Sequence, residues 1–172
     1  MSRIILGVDP GLTRCGFGLV RVSGSKVEYV HAGVIRTSTD LPVDERLHGV
    51  WLSLLDLINE YLPAAMAVER VYAQVNLRTV MGTAQVSGLA LTLARLNGLP
   101  VSTYTPTEMK AAVTGSGRAD KVQVTAMVQR LLKLSAPVKP ADASDALGLA
   151  ICHAWRGSAQ ERIATALAAA RP

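Results

Sequence analysis

The chain opens on an unbroken apolar run, Ile4-Ile5-Leu6-Gly7-Val8, which ends in Asp9-Pro10-Gly11. So short and apolar a run predicts a buried strand, and Pro10-Gly11 predicts the turn that ends it. Gly16 to Val22 and Val27 to Thr37 follow as two more strands around Ser23-Gly24-Ser25, so the first three strands form an antiparallel meander. The period then changes. Leu47, Val50, Trp51, Leu54, Leu55 and Ile58 recur at helical spacing between Val43 and Tyr61, and Pro63 closes that helix. Ala64 to Tyr72 is again an apolar run, read as a strand that carries one acid, Glu69. A second helix spans Leu77 to Asn97, with Gly98 and Pro100 as stop signals and small residues at Gly82, Ala84, Ser87, Gly88 and Ala90. Val101 to Tyr104 is a short strand, and Thr105-Pro106-Thr107-Glu108 has the form of a capped helix start. Gly115-Ser116-Gly117 breaks that helix, another spans Lys121 to Leu134, and a last one starts near Asp142 and runs past His153.

This alternation predicts an α/β fold: a mixed five-stranded sheet, antiparallel in its first three strands and parallel afterwards, with helices on both faces. Residues 1–157 read as one domain, and the Ala-rich tail 158–172 reads as a frayed helix without an assigned role.

Composition narrows the class. With 49% hydrophobic and 18% charged residues the chain fits a packed globule rather than a disordered one. No apolar run reaches the roughly 18 residues of a membrane span, and the N-terminus lacks a signal-peptide pattern, so the expected location is cytoplasmic, with no membrane partner. Cys15 and Cys152 have neither disulfide nor metal spacing. The net charge of +5 suits a polyanionic partner. Its distribution is more telling: between Thr105 and Lys139 stand Lys110, Arg118, Lys121, Arg130, Lys133 and Lys139 against Glu108 and Asp120 alone.

Four acids carry the candidate chemistry. Asp9 stands at the mouth of the first hairpin, where it is either a turn residue or a functional carboxylate. Glu69 lies in a run so apolar that it must be paired, protonated, metal-bound or at the strand's exposed end. Asp142 and Asp145, three residues apart, share a helix face, where capping and dipole compensation are the alternative reading. Should the four converge, their repulsion is tolerable only with cations, and an all-carboxylate site suits Mg²⁺ or Mn²⁺. Two such ions, roughly 4 Å apart, support phosphodiester hydrolysis. His31, His48 and His153 are scattered and read as structural, and no Gly-x-Ser-x-Gly elbow is present.

These stretches resemble the RuvC family of crossover junction endodeoxyribonucleases, the Holliday junction resolvases of the ribonuclease H-like superfamily. The resemblance rests on Ile5-Leu6-Gly7-Val8-Asp9-Pro10-Gly11, Ala67-Val68-Glu69-Arg70-Val71-Tyr72, Lys110 with Gly115-Ser116-Gly117 and Lys121, and Asp142-Ala143-Ser144-Asp145-Ala146-Leu147, which together span about residues 3–155. It implies a ribonuclease H-like fold and a site in which Asp9, Glu69, Asp142 and Asp145 hold two metal ions. It further implies that Lys110 and Lys121 serve the DNA and the scissile region, Lys121 as part of the catalytic group, with Ser116 and Arg118 of the intervening loop also on the DNA. A homodimer acting on four-way junction DNA, cutting symmetrically to leave 5′-phosphate ends beside the RuvA and RuvB branch-migration proteins, is the implied function in recombination and repair. Where the family often has Gln and then Val-Phe after the glutamate, this chain has Arg70-Val71-Tyr72. Tyr72 is either a ring that stacks on an unpaired base or a core aromatic, and Arg70 either a DNA contact or a surface charge.

The alternatives are a YqgF-like nuclease acting on RNA and a junction-binding protein without catalysis. A sugar-kinase or actin-type ATPase, which shares an Asp-x-Gly start, is expected to need two such domains. The helix around Gly82 and Gly88 is the expected dimer interface.

Overall fold

The computed structural model describes residues 2–71 and 77–169. Five strands, β1 (Arg3–Asp9), β2 (Arg14–Ser23), β3 (Lys26–Arg36), β4 (Ala65–Glu69) and β5 (Val101–Tyr104), form one sheet in the order β3-β2-β1-β4-β5. The first three strands pair antiparallel, while β1 with β4 and β4 with β5 run parallel, as the alternation of strand and helix requires. The helices are α1 (Val43–Tyr61), α2 (Leu77–Leu96), α3 (Pro106–Thr114), α4 (Lys121–Leu131) and α5 (Ala141–Ala169).

Two predicted elements end earlier than their apolar patterns. β4 stops at Glu69, because its partner β5 ends at Tyr104 and the bond from the Arg70 amide to the Tyr104 carbonyl closes that ladder. α4 stops at Leu131 rather than Leu134. Lys133 takes a left-handed φ of 54°, and the Leu134 amide bonds back to the Gln129 carbonyl, a C-terminal cap that the apolar Leu131, Leu132 and Leu134 conceal from periodicity.

Strand alternation divides the core into two layers. Leu6, Val8, Cys15, Phe17, Leu19, Met66 and Val68 face α1 and α2, while Ile5, Val20, Val22, Ala67 and Tyr104 face α3, α4 and α5. Both cysteines are free and buried, and the buried His153 is bonded to the Tyr104 hydroxyl at 2.9 Å, a structural role as expected.

The second face holds the feature that positions the site. Gly7 and Gly18 pair across β1 and β2, and Gly16 lies opposite Asp9. A Cβ on Gly7 would run into the Ala146 carbonyl, one on Gly16 into the Asp142 carbonyl, and one on Gly18 into the Leu147 backbone. These glycines therefore let the backbone of α5 lie directly on the sheet, with its first turn over the end of β1.

Candidate active site

Asp9 and Glu69 are the last residues of adjacent parallel strands, one step beyond the Val8–Val68 pair, and so stand side by side on the face that α5 crosses. Asp142 and Asp145 come down on them from the first two turns of α5. Both lie close enough to Asp9 for their charges to raise its pKa.

Burial and neighbours act together on the acids. Asp9 is pushed up to about 8, first by burial and then by Glu69, Asp145 and Asp142. Glu69 is pushed up to about 7 by burial and by Asp145. Asp145 is also raised, chiefly by burial, with Lys121 opposing the shift. A set of acids that resists ionising together is one that awaits positive charge.

Part of that charge is internal. Lys121 Nζ stands 3.5 Å from Asp145 Oδ2, and the carboxylate holds the lysine pKa up. Lys121 is the first residue of α4, whose N-cap Asp120 forms a reciprocal capping box with Gln123. Lys110, on α3, also acts on Glu69 and Asp145. The two lysines thus reach the acids from separate helices.

The remaining predicted residues are placed differently. Ser116 and Arg118 lie in the loop between α3 and α4 and line a separate depression with Thr114, Ala119, Gln123 and Met127. There the Ser116 hydroxyl accepts from the Arg118 amide at 3.3 Å. Arg70 is exposed and donates from Nε and Nη2 to the Thr103 hydroxyl at 3.3 and 3.1 Å, on the strand beside it. Tyr72 lies outside the described residues.

Arg14, at the start of β2, belongs to the site although its surroundings in the sequence do not mark it. Its Nε and Nη2 both reach Asp142 Oδ2, at 2.7 and 2.6 Å. The signal was present in the hairpin: Arg14 lies two residues from Gly16, which pairs with Asp9, and so projects from the same face of β2. The adjoining turn is pinned from behind. Arg46 donates to the Thr13 and Thr37 hydroxyls at 2.7 and 2.9 Å, and the Thr37 hydroxyl donates to the Leu12 carbonyl.

The donor set is all hard carboxylate oxygen, which fits a divalent cation such as Mg²⁺ or Mn²⁺ and not a soft one. In the arrangement described, with Asp142 drawn to Arg14, no three His, Cys, Asp or Glu side chains among the described residues converge tightly enough to share one ion.

A sheet of this order, with acids on two adjacent parallel strands and on the helix that crosses them, makes this a ribonuclease H-like α/β protein with a carboxylate site. Residues 5–153 match the family described as crossover junction endodeoxyribonuclease RuvC. Proteins of that description from Streptomyces griseus and Thermobifida fusca are each 56% identical to it, over 97% and 94% of this chain and 82% and 90% of their own. Among solved structures, Thermus thermophilus RuvC in complex with a Holliday junction substrate superposes with a TM-score of 0.86 at 31% identity, covering 92% of this chain and 96% of that one. The chain belongs to the RuvC family of crossover junction endodeoxyribonucleases.

Proposed function

We propose that this chain is a metal-dependent endonuclease that resolves four-way DNA junctions by paired, symmetric phosphodiester hydrolysis, leaving 5′-phosphate ends for ligation in homologous recombination and repair. The observation that carries the mechanism is that Glu69, Asp142 and Asp145, from two other elements, all act on Asp9 through their charges, beside two lysines, in a protein of this family. The family match favours DNA junctions over the RNA-acting alternative. The full set of acids speaks against a binding protein without catalysis.

The four acids are the residues that hold the metal, two ions in our reading. When bound, such ions supply Lewis acidity for activating water and stabilising the leaving 3′-oxygen. The chain does the rest. Asp9 and Glu69, fixed at strand ends, would hold the cations in their ionised form, which the positive charge would favour. Lys121, held by Asp145 and by the capped start of α4, offers a positive charge to the scissile phosphate. Lys110 bears on the phosphates alongside the site.

Around this centre we place Ser116, Arg118 and Arg70 on flanking DNA and Tyr72 on an unpaired base of the junction. The nuclease unit is residues 1–157, and we assign no role to 158–172. The working form is a homodimer in the cytoplasm, because two identical sites meet two equivalent strands of a near two-fold junction. RuvA and RuvB are its partners in branch migration. Among the described residues no helix is long and apolar enough to cross a membrane.

The test is cleavage of a synthetic four-way junction beside a linear duplex of the same sequence and an RNA control, in Mg²⁺ or Mn²⁺ and in chelator. Paired symmetric nicks confined to the junction and lost on chelation are expected. Cutting of RNA with both DNAs intact would overturn the assignment.

A further inference from the structure

Arg14 stands between two features. On one side its Nε and Nη2 both contact a single oxygen, Oδ2, of Asp142, which leaves Oδ1 as the oxygen that Arg14 does not take. On the other side lies an open depression of about 780 Å³, lined by Arg14 itself and by Thr13, Arg46, Thr79 and Gln85. The guanidinium thus has both a carboxylate to hold and open space to move into. Its side chain is 43% exposed, so leaving the carboxylate does not require the core to open.

We propose that Arg14 is an internal cation that competes with a divalent metal ion for Asp142 and thereby sets the metal affinity of the protein before DNA arrives. The inference rests on the reading of Asp142 as a metal ligand. A carboxylate oxygen that accepts a charge-assisted hydrogen bond from Nε and is ion-paired with Nη2 is a poor ligand until both contacts are surrendered. Only movement of the guanidinium away from Asp142 relieves that competition. The backbone beside Arg14 is held by the Arg46, Thr13 and Thr37 bonds, which keeps the contact pre-formed without tying down the Arg14 side chain. Metal entry at Asp142 then displaces the arginine into the depression beside it.

Mn²⁺ binding to the DNA-free protein, followed by calorimetry and by the spin resonance of free ion, tests this without cleavage. Arg14→Ala and Arg14→Gln should each tighten binding roughly tenfold or add a site of measurable occupancy. Arg14→Lys, a point charge without the fork, should fall between them and the native chain. The decisive arm is a double-mutant cycle: in an Asp142→Asn background, Arg14→Ala should bring no gain. An equal gain with and without Asp142 would reduce Arg14 to a general field and overturn the proposal. Weaker binding by both Arg14→Ala and Arg14→Gln, with melting curves like the native one, would overturn it too, making Arg14 an organiser of the ligand. If the native chain and every variant bound no Mn²⁺, the metal reading itself would fall instead.

Discussion

Asp9 and Glu69 keep their protons in the folded chain up to about 8 and about 7, against ordinary values of 3.8 and 4.5. The unfolded chain therefore binds fewer protons than the folded one between the two ranges, and stability falls as pH rises through that window. In chelator, the melting temperature should drop between about pH 5 and pH 8, and added Mg²⁺ should restore it most at the alkaline end. Melts across pH for the native chain, Asp9→Asn and Glu69→Gln would check this; a slope that the substitutions leave unchanged would place its origin elsewhere. The same acids separate chemistry from binding. Asp9→Asn, Glu69→Gln, Asp142→Asn or Asp145→Asn should lower junction cutting by two or more orders of magnitude while leaving junction binding in Ca²⁺ largely intact. Equal losses in gel-shift and cleavage assays would contradict the assigned roles.

At the level of elements, the site depends on two local devices. The first is the contact of α5 with β1 and β2 across Gly7, Gly16 and Gly18. In Gly16→Val the new side chain would meet the Asp142 carbonyl and lift the first turn of α5 from Asp9. Melting temperature and cleavage should both fall, and retained activity would show that α5 is free to give way. The second is the cap on α4. Asp120→Ala removes the bond to the Gln123 amide and should cost about 1 kcal/mol of stability. Because Lys121 is the next residue, cleavage should decline as well. Asp120→Asn, which keeps the accepting oxygen, should recover both in a paired melt and rate measurement.

Across the whole molecule, the basic excess acts where Lys110 and Lys121 meet the acids from two helices. Junction affinity should fall with salt, and Lys110→Ala should lower the slope of log affinity against log salt by about one. An unchanged slope would move the DNA surface away from α3. On the helix expected to form the dimer face, the two glycines stand differently. Gly82 is small because Leu12 of the same chain packs 3.0 Å from where its Cβ would be, whereas a Cβ on Gly88 would meet nothing. Met81 and Leu96 on the same helix are exposed. Gly88→Leu, and not Gly82→Ala, is thus the variant whose sedimentation should report on a dimer built on α2, and an unaltered dimer would exclude that face.

Most element positions and the four acids are legible in the chain alone. Apolar periods, proline and glycine stops and the capping signal at Thr105 act within a few residues, so a single chain displays them directly. Glu69 stood out because a charge in so apolar a run demands an explanation. The meeting of these parts is settled by the packing of the fold. Glycines that read as ordinary strand residues are the floor on which α5 rests, and Arg14, 128 residues from Asp142 in the chain, grips its carboxylate. The hairpin puts Arg14 on the face of Asp9 but does not name its partner, because both contacts arise from the crossing of one helix over two strands, and a periodic pattern records which face is buried but not what covers it.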